Sequence, residues 1–328
     1  GGTKVLRTSE GVHDPIWARA IALRRGPVTA VLLSADLVGL HHHHVERVRD
    51  RLEWSRVPRA AVLVTTTHNH AGPDTLGMWG LPPFWSGIDD DYQRRVLDAL
   101  RRAAEEALGA LEPVEVRVGQ VQAPTRWVSK NRRDPDLIDR TVTAIAFDTP
   151  DRRPVATLVH FACHPEAVTS RNDLLSADFP QALYATVEAA RPGVALFVQG
   201  PLGGMVTVDA AGRTFEEAAR IGTAIGRLAL EALAEDASSG PTFAVSLDAV
   251  SVPVWVPVQN RRYHLGAAFG IFADRPFDDG YTRSEVQVLR LGSTTLLALP
   301  GEVLPRLGFE LQRQLGATLV ISLGNDEL

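Results

Sequence analysis

Three side chains in this sequence have the types and positions needed to hold a catalytic metal ion: His68, His164 and Glu302. Two imidazoles and a carboxylate are a common protein ligand set for catalytic zinc, with one position left open for water. Bound zinc lowers the pKa of that water towards about 7, which produces a nucleophile at neutral pH. The pattern therefore points to metal-assisted hydrolysis, provided that the fold brings the three side chains together.

Each of the three residues lies within two positions of the end of a short apolar run that predicts a buried β-strand. The runs are residues 61–67, 155–163 and 294–300. In α/β folds the strand ends open into loops at one rim, where ligands and catalytic groups gather. Taken singly, each residue also has an ordinary structural interpretation. A strand-end histidine is usually a hydrogen-bonded polar residue, and Glu302 could simply favour a helix N-terminus.

A fourth residue, His70, lies two positions after His68. If the strand continues through both residues, their side chains point to the same face of the sheet. One imidazole could then bind the metal while the other faces the substrate. The turn-forming residues 71–73 (Ala-Gly-Pro) follow directly and would fix the exit of the chain from the strand.

Helical patterns alternate with the predicted strands along the chain. Further apolar runs predict strands at residues 30–35, 194–198 and 318–322. Apolar residues at helical spacing predict helices at residues 45–52, 91–108, 180–190, 215–234 and 303–315. Residues 114–122 and 243–258 break the alternation and are typical of antiparallel strands. We therefore expect an α/β fold in which mixed β-sheets are layered with α-helices.

The composition excludes several classes of protein. Hydrophobic residues make up 45% of the 328 residues, which is enough for a sizeable core, and the net charge of −5 argues against nucleic acid as a partner. The single cysteine, Cys163, excludes a disulfide framework and a cysteine-based zinc cluster. No apolar run is long enough to predict a transmembrane segment. The sequence shows no signal-peptide pattern, and we leave the compartment open between a bacterial cytoplasm and a secreted or periplasmic location.

Four segments of the chain resemble the motifs of one enzyme family. Residues 67–73 (Thr-His-Asn-His-Ala-Gly-Pro) resemble the His-Thr-His-Ser-Gly-Pro signature of the neutral, non-lysosomal ceramidases. Residues 161–165 resemble the second histidine motif of that family, and residues 299–302 resemble its carboxylate motif. Asn131-Arg132 is similar to an Asn-Arg pair between the first two motifs. Order and spacing agree from about Gly11 to Asp326.

The resemblance implies that residues 1–328 form a single ceramidase-like catalytic domain, with truncation at both ends allowed for. It implies a zinc-dependent amidohydrolase that cleaves a linear amide of an N-acylated amine, ceramide-like or otherwise, by metal-activated water. By position, His68, His164 and Glu302 would be the zinc ligands. His70 would stabilise the oxyanion or carry a proton to the leaving amine. Arg132 would contact the substrate or support the site. The expected partner is a small-molecule or lipid-like amide, of the kind found in bacterial lipid metabolism.

The sequence also departs from the family pattern in ways that keep other functions open. The family places a further zinc ligand, a tyrosine, just beyond the segment seen here as Asn325-Asp326, which would fall after Leu328. Residues 203–207 (Gly-Gly-Met-Val-Thr) stand where the family has Gly-Asp-x-Ser-Pro. The substrate therefore need not be ceramide. A zinc esterase or lactamase, or a non-catalytic binding protein that retains the fold, stays as an alternative.

Several other polar and aromatic residues carry weaker expectations. The run His41 to His44 is expected to be the solvated start of a helix, and His160 a packed core histidine. Asp178 could orient a metal-bound histidine through a hydrogen bond. The loop after the His-x-His pair could form either an apolar substrate wall or a cover for the core, through the residues Trp79, Leu81, Phe84 and Trp85.

Overall fold

The fold consists of β-sheets packed against α-helices. A computed structural model describes residues 7–80, 85–124, 128–168, 172–235, 245–269 and 277–328. The helices are α1 (His42–Arg51), α2 (Asp90–Gly109), α3 (Phe179–Ala190), α4 (Phe215–Glu235), α5 (Arg261–Ala268) and α6 (Pro305–Leu315). The strands are β1 (Gly11–Val12), β2 (Ala18–Arg25), β3 (Val28–Ala35), β4 (Val62–Thr66), β5 (Glu115–Gln122), β6 (Ser129–Asn131), β7 (Thr141–Asp148), β8 (Pro154–Phe161), β9 (Leu174–Leu175), β10 (Val194–Gln199), β11 (Val206–Val208), β12 (Leu247–Pro257), β13 (Phe277–Asp278), β14 (Tyr281–Leu291), β15 (Thr294–Ala298) and β16 (Thr318–Ile321).

A three-stranded sheet with the order β2-β3-β4 carries the His-x-His segment at one end. β2 and β3 form an antiparallel hairpin through a tight turn at Gly26, whose φ of 54° is easy for glycine. β4 then pairs with β3 in parallel, and all five of its residues are buried. Such a doubly buried strand explains the unbroken apolar run in the sequence before His68.

A four-stranded sheet with the order β10-β8-β7-β5 carries His164 after its central strand β8. β8 is parallel to β10 and antiparallel to β7, so this sheet is mixed. Helices α3 and α4 pack together over a core that includes Phe161, Phe179 and Phe197. They approach each other closely at Gly222, where a Cβ atom would lie 2.1 Å from the Phe179 carbonyl oxygen. A larger residue there would push the two helices apart.

A third large sheet carries Glu302 in the loop that follows β15. Its strands run in the order β12-β14-β15-β16, and β13 pairs with the first two residues of β14. β15 and β16 are parallel and are connected by helix α6, whereas β12 and β14 form a long antiparallel pair. Two short two-stranded sheets, β1-β9 and β11-β6, lie in the loops around the strand ends. Within the described ranges, no helix is both long and apolar enough to cross a membrane.

The predicted fold class is confirmed, since mixed sheets are layered with helices. The predicted strands and helices are all present with shifted ends, although residues 243–244 of one predicted strand lie outside the described part of the chain. Strands β2, β7 and β14, the short strands β1, β6, β9, β11 and β13, and helix α5 were not predicted. β7 lies between two strands of its sheet, so its apolar residues are buried on both faces without an obvious alternation.

The expectation of a solvated start for the first helix is wrong. Helix α1 begins at His42, and the side chains of His41, His42 and His44 are buried. The segment after β16 covers this end of the helix, and the carboxylate of Asp326 accepts a hydrogen bond from the backbone N–H of His42. The His41 Nε2 lies 3.2 Å from the Leu76 carbonyl oxygen in the loop after the His-x-His pair. Two loops that are distant in sequence therefore exclude water from the histidine run.

Candidate active site

His68 is held in a single orientation by the backbone of the loop after β3. Its side chain is buried, and its Nδ1 lies 2.6 Å from the carbonyl oxygen of Val38. Because a carbonyl oxygen only accepts, Nδ1 carries the ring proton and Nε2 points the other way. The backbone of His68 has φ = 62°, an uncommon left-handed conformation for this residue type. Strained backbone of this kind is often found at functional sites, where the surrounding structure maintains it.

His164 is held in the same manner on the neighbouring sheet. It is buried just after β8, and its Nδ1 lies 2.7 Å from the carbonyl oxygen of Val206. The backbone N–H of His164 donates to the same oxygen, and the residue forms an isolated parallel bridge with Thr207. The Thr207 hydroxyl in turn donates a short hydrogen bond to the carboxylate of Glu166. The Nε2 of His164 is therefore also directed away from its backbone support.

Glu302 lies between the two Nε2 atoms. Its Oε1 is 3.3 Å from Nε2 of His68, and its Oε2 is 3.4 Å from Nε2 of His164. Partial burial raises the pKa of Glu302, but the hydrogen bonds from His164 and His68 outweigh it and hold the pKa well below the usual range. The carboxylate is therefore ionised at neutral pH. About a third of this side chain is exposed, so the group opens to solvent on the Glu302 side.

The arrangement of these donor atoms fits a metal cation. Each imidazole is hydrogen-bonded to the backbone through Nδ1, so on losing its Nε2 proton it offers the Nε2 lone pair to a cation, and the two Nε2 atoms and the carboxylate converge on one point. A cation bound there would replace the hydrogen bonds between the Nε2 atoms and the carboxylate, and all three groups would hold it. Ligand atoms of His68, His164 and His70 also lie within 4.8 Å of one another. Two donor sets thus share His68 and His164, and their third member is either Glu302 or His70.

His70 lies beside the pair and faces a cavity. Its ring centroid is 4.8 Å from that of His68 and 5.8 Å from that of His164. Both of its ring nitrogens are shielded from solvent and have no hydrogen-bond partner among the described residues. Burial, and then the neighbouring His68 and His164, lower the pKa of His70 well below its usual value, so its imidazole is neutral. His70 therefore lies at the cavity with a neutral ring whose two nitrogens have no hydrogen-bond partner among the described residues.

Asn69, between the two histidines, fixes the turn of the chain. It is fully buried, and its Nδ2 donates to the carbonyl oxygens of Asp36 at 3.1 Å and Ser176 at 2.7 Å. Its Oδ1 accepts from the backbone N–H of Ala71 at 2.9 Å. One side chain therefore holds together the loop after β3, the loop before α3 and its own turn. Sequence reasoning did not identify this residue, because its partners are backbone groups that only the fold brings close.

The cavity next to His70 has a volume of about 310 Å³. His70 and Pro73 lie on one side, and Leu174 and Leu175 of the short strand β9 lie on another. Trp79 also lines it, in agreement with the substrate-wall interpretation, whereas Trp85 is mostly exposed. Leu81 and Phe84 fall outside the described residues. A volume of this size lies at the lower end of the range for small-molecule sites.

Arg132 does not belong to the histidine–glutamate group. It lies just after β6 with an exposed side chain, and its backbone N–H donates to the Met205 carbonyl oxygen at 3.1 Å. The neighbouring Asn131 is buried, and it accepts from the backbone N–H groups of Arg133 and Asp134. The Asn-Arg pair thus borders the 203–207 loop, which also supports His164.

The structure gives Asp178 a different role from the one considered for it. Its carboxylate accepts hydrogen bonds from the backbone N–H groups of Val168 and Phe179 and caps helix α3, instead of orienting a histidine. His160 is a packed core histidine as expected. It is buried, and its Nε2 lies 2.9 Å from the carbonyl oxygen of Val320.

Comparison with known proteins places this fold beside two solved ceramidase structures. No protein-family model matches the sequence, and no curated protein matches it. A structure described as a ceramidase complexed with C2 is similar with a TM-score of 0.80 and 17% identity, covering 100% of this chain and 66% of that one. A neutral ceramidase from Pseudomonas aeruginosa is similar with a TM-score of 0.77 and 18% identity, covering 99% of this chain and 65% of that one. This chain therefore has a ceramidase-like fold and spans slightly less than two thirds of the length of these two relatives.

Proposed function

We propose that this protein is a zinc-dependent hydrolase that cleaves the amide bond of an N-acylated amine. The observation that carries the proposal is the convergence of two imidazole Nε2 atoms on the Glu302 carboxylate, with both Nδ1 atoms hydrogen-bonded to backbone carbonyls. Metal-binding histidines are typically oriented in this way by a hydrogen bond from their second ring nitrogen. We assign His68, His164 and Glu302 as the zinc ligands and infer that residues 1–328 act as one catalytic domain.

The choice of Glu302 over His70 as the third ligand follows from orientation and charge. The carboxylate oxygens lie within 3.4 Å of both Nε2 atoms, and their negative charge would offset part of the charge of a divalent ion. A zinc ion in this position would supply a Lewis acid and would lower the pKa of a water molecule. His70 is then left free at the edge of the cavity.

The residues around this position have separate roles in the proposed reaction. His70, with two unpartnered ring nitrogens, can hydrogen-bond the oxygen of the amide carbonyl as it becomes negative, or carry a proton to the leaving amine. Its backbone N–H donates to the Pro165 carbonyl oxygen at 3.2 Å, which ties the His70 backbone to the segment that follows His164. We propose that Arg132, exposed beside the 203–207 loop, contacts a polar part of the substrate.

We propose that the substrate is a small-molecule or lipid-like acyl amide, ceramide-like or otherwise, in line with the name of the structural relatives. A non-catalytic binding protein is the second candidate. It is favoured by the loop at residues 203–207, where Gly204 and Val206 stand at the positions of the family's aspartate and serine. A zinc esterase or lactamase would use the same residues on a different bond.

Zinc content and turnover test the proposal in sequence. After metal-replete purification, elemental analysis is expected to find about one zinc per chain; a content below about 0.2 per chain would contradict the zinc assignment. The loaded protein is then assayed on N-acyl amines, esters and lactams, and hydrolysis of the linear amides is expected. Zinc with no turnover on any of them would favour the binding protein.

The role of His70 has its own variant and control. His70→Ala is expected to abolish amide turnover and to leave the zinc content unchanged, because Glu302 and not His70 completes the ligand set. His264→Ala, which alters an exposed histidine on α5, should change neither quantity. If His70→Ala loses the zinc, then His70 is a ligand and our assignment of roles is wrong.

A further inference from the structure

The two proposed histidine ligands belong to different sheets. His68 follows β4 of the three-stranded sheet, and His164 follows β8 of the four-stranded sheet. Across the described ranges, no strand pairing joins these two sheets. The distance between the two imidazoles is therefore not fixed by a shared ladder of backbone hydrogen bonds, and other contacts must set it.

One buried amide links the two strand ends directly. Gln199 is the last residue of β10 and is fully buried. Its Nε2 donates to the carbonyl oxygen of Thr67 at 2.6 Å and to that of Cys163 at 2.7 Å. Its Oε1 accepts from the backbone N–H of Cys163 at 3.2 Å. Thr67 and Cys163 are the residues immediately before His68 and His164, so this side chain joins the two histidine-bearing strand ends.

The chemistry of the amide group matches this position closely. A primary amide has two N–H donors and one carbonyl acceptor, and Gln199 uses both donors and the acceptor. The two carbonyl oxygens require donors and the Cys163 N–H requires an acceptor, which fixes the orientation of the amide. No other uncharged side chain of similar length offers two donors and an acceptor on one planar group.

The backbone of Gln199 is itself held firmly. It pairs with Phe161 in the parallel ladder between β10 and β8, and its carbonyl oxygen accepts from the backbone N–H of Ser322. The Ser322 hydroxyl also donates to the carbonyl oxygen of Gly200 at 2.8 Å. The amide therefore projects from a backbone segment that is hydrogen-bonded to two other segments of the chain, and it can hold both strand ends at a set distance.

We propose that Gln199 is a positioning residue that sets the separation of the His68 and His164 imidazoles for metal binding. This inference rests on the proposed function, because it assumes that both imidazoles bind the ion. Groups that orient metal ligands typically contribute about 10–100-fold to metal affinity. The backbone link from His70 to Pro165 joins the same two segments beyond the histidines, so Gln199 is expected to tune the site and not to be its only connection.

The test measures the zinc dissociation constant of the full chain by competition with a chromophoric chelator. Gln199→Met keeps the length of the side chain but removes both donors and the acceptor. Gln199→Glu keeps the shape and the acceptor but removes the donors. Gln287→Met is the matched control, because Gln287 is equally buried and its amide also bridges two segments, the Ala60 carbonyl oxygen and the Asn325 side chain. Absorption spectra of the Co²⁺-substituted proteins report the coordination geometry.

We expect both Gln199 variants to bind zinc about 10–100-fold more weakly than the wild type and to show an altered Co²⁺ spectrum. The Gln287 variant should lower the unfolding temperature while keeping affinity and spectrum. If the Met variant does not fold, the Glu variant provides the same comparison. The inference would be overturned if a folded Gln199 variant kept the zinc affinity and the Co²⁺ spectrum of the wild type. It would also be overturned if the Gln287 variant changed both quantities as much as the Gln199 variants do. Either result would leave the proposed function intact. A wild type that binds no zinc would instead overturn the proposed function, and the inference with it.

Discussion

The consequence of removing the Asn69 side chain can be worked out from its three hydrogen bonds. Asn69→Ala deprives two buried carbonyl oxygens, those of Asp36 and Ser176, and the half-buried N–H of Ala71 of their partner. Each buried backbone group left without a partner costs about 1–3 kcal/mol. Taking the lower end of this range, we expect the free energy of unfolding to fall by about 3–4 kcal/mol. A domain has only about 5–15 kcal/mol in total, so the loss is a large fraction.

The measurement is chemical denaturation of wild type and variant in the presence of a metal chelator, so that bound metal does not add to the stability of either protein. For a chain of this length, a loss of this size corresponds to an unfolding temperature lowered by about 4–6 °C. Asn172→Ala is the control. Both hydrogen bonds of the Asn172 side chain go to Leu174 in the same half-buried turn, where water can replace them. We expect the control to lose about 1 kcal/mol or less.

A loss below about 1 kcal/mol for Asn69→Ala, or one equal to the loss of the control, would refute this reasoning. Such a result would mean that the three backbone groups find other partners when the amide is removed. The loops after β3 and before α3 would then not depend on Asn69 for their position next to the histidine pair.

Three further predictions concern the pH dependence of folding, the substrate contact and the metal. Burial raises the pKa of Asp36 to about 7. Between about pH 4 and pH 7 the folded protein therefore keeps a proton that the unfolded chain releases, so the free energy of unfolding falls as the pH rises. As the pH rises from about 5 to about 8, the free energy of unfolding of Asp36→Asn should therefore increase by about 2–3 kcal/mol relative to that of the wild type. Denaturation at a series of pH values measures this difference, and a difference that does not change with pH would contradict the prediction. Arg132→Ala should raise the KM about tenfold with unchanged zinc content, whereas the neighbouring exposed Arg133→Ala should not; equal effects would exclude a specific contact. Glu302→Gln should weaken zinc binding by more than about 100-fold in chelator competition and leave the far-ultraviolet circular dichroism unchanged, and a smaller loss would remove Glu302 from the ligand set.

The parts of the fold that could be predicted from sequence are those with a local physical cause. The run before His68 is apolar because β4 is buried on both faces, and the helical spacing in α2 and α4 reflects one face packed on a sheet. These patterns repeat within a few residues, so the sequence alone reveals them. Strand β14 was missed because its alternation of buried and exposed positions is interrupted at Ser284 and Glu285, two adjacent polar residues that are both buried.

The candidate site was predicted as far as its residues could be recognised by type and position. The convergence of His68, His164 and Glu302 followed from their positions just after strands, which the structure brings to one place. Gln199 and Asn69 could not be found in this way, because their partners are backbone groups from segments far apart in the chain. Nothing in the local sequence distinguishes a buried bridging amide from a turn residue.

The buried histidine run shows the opposite error. A row of four polar rings is usually solvated, so exposure was the natural expectation for residues 41–44. The segment after β16 and the loop around Leu76 lie over this run, and both are remote from it in sequence. The burial of a polar residue therefore depended on which loops cover it, and local composition carries no signal for that.

The most direct test of the account is a crystal structure of the zinc-loaded protein with anomalous diffraction measured on both sides of the zinc absorption edge. We predict one anomalous peak among Nε2 of His68, Nε2 of His164 and the carboxylate of Glu302, at about 2.0–2.2 Å from each, with His70 outside bonding distance. The account would be contradicted by the absence of a peak at this position, or by a peak bonded to His70 and not to Glu302.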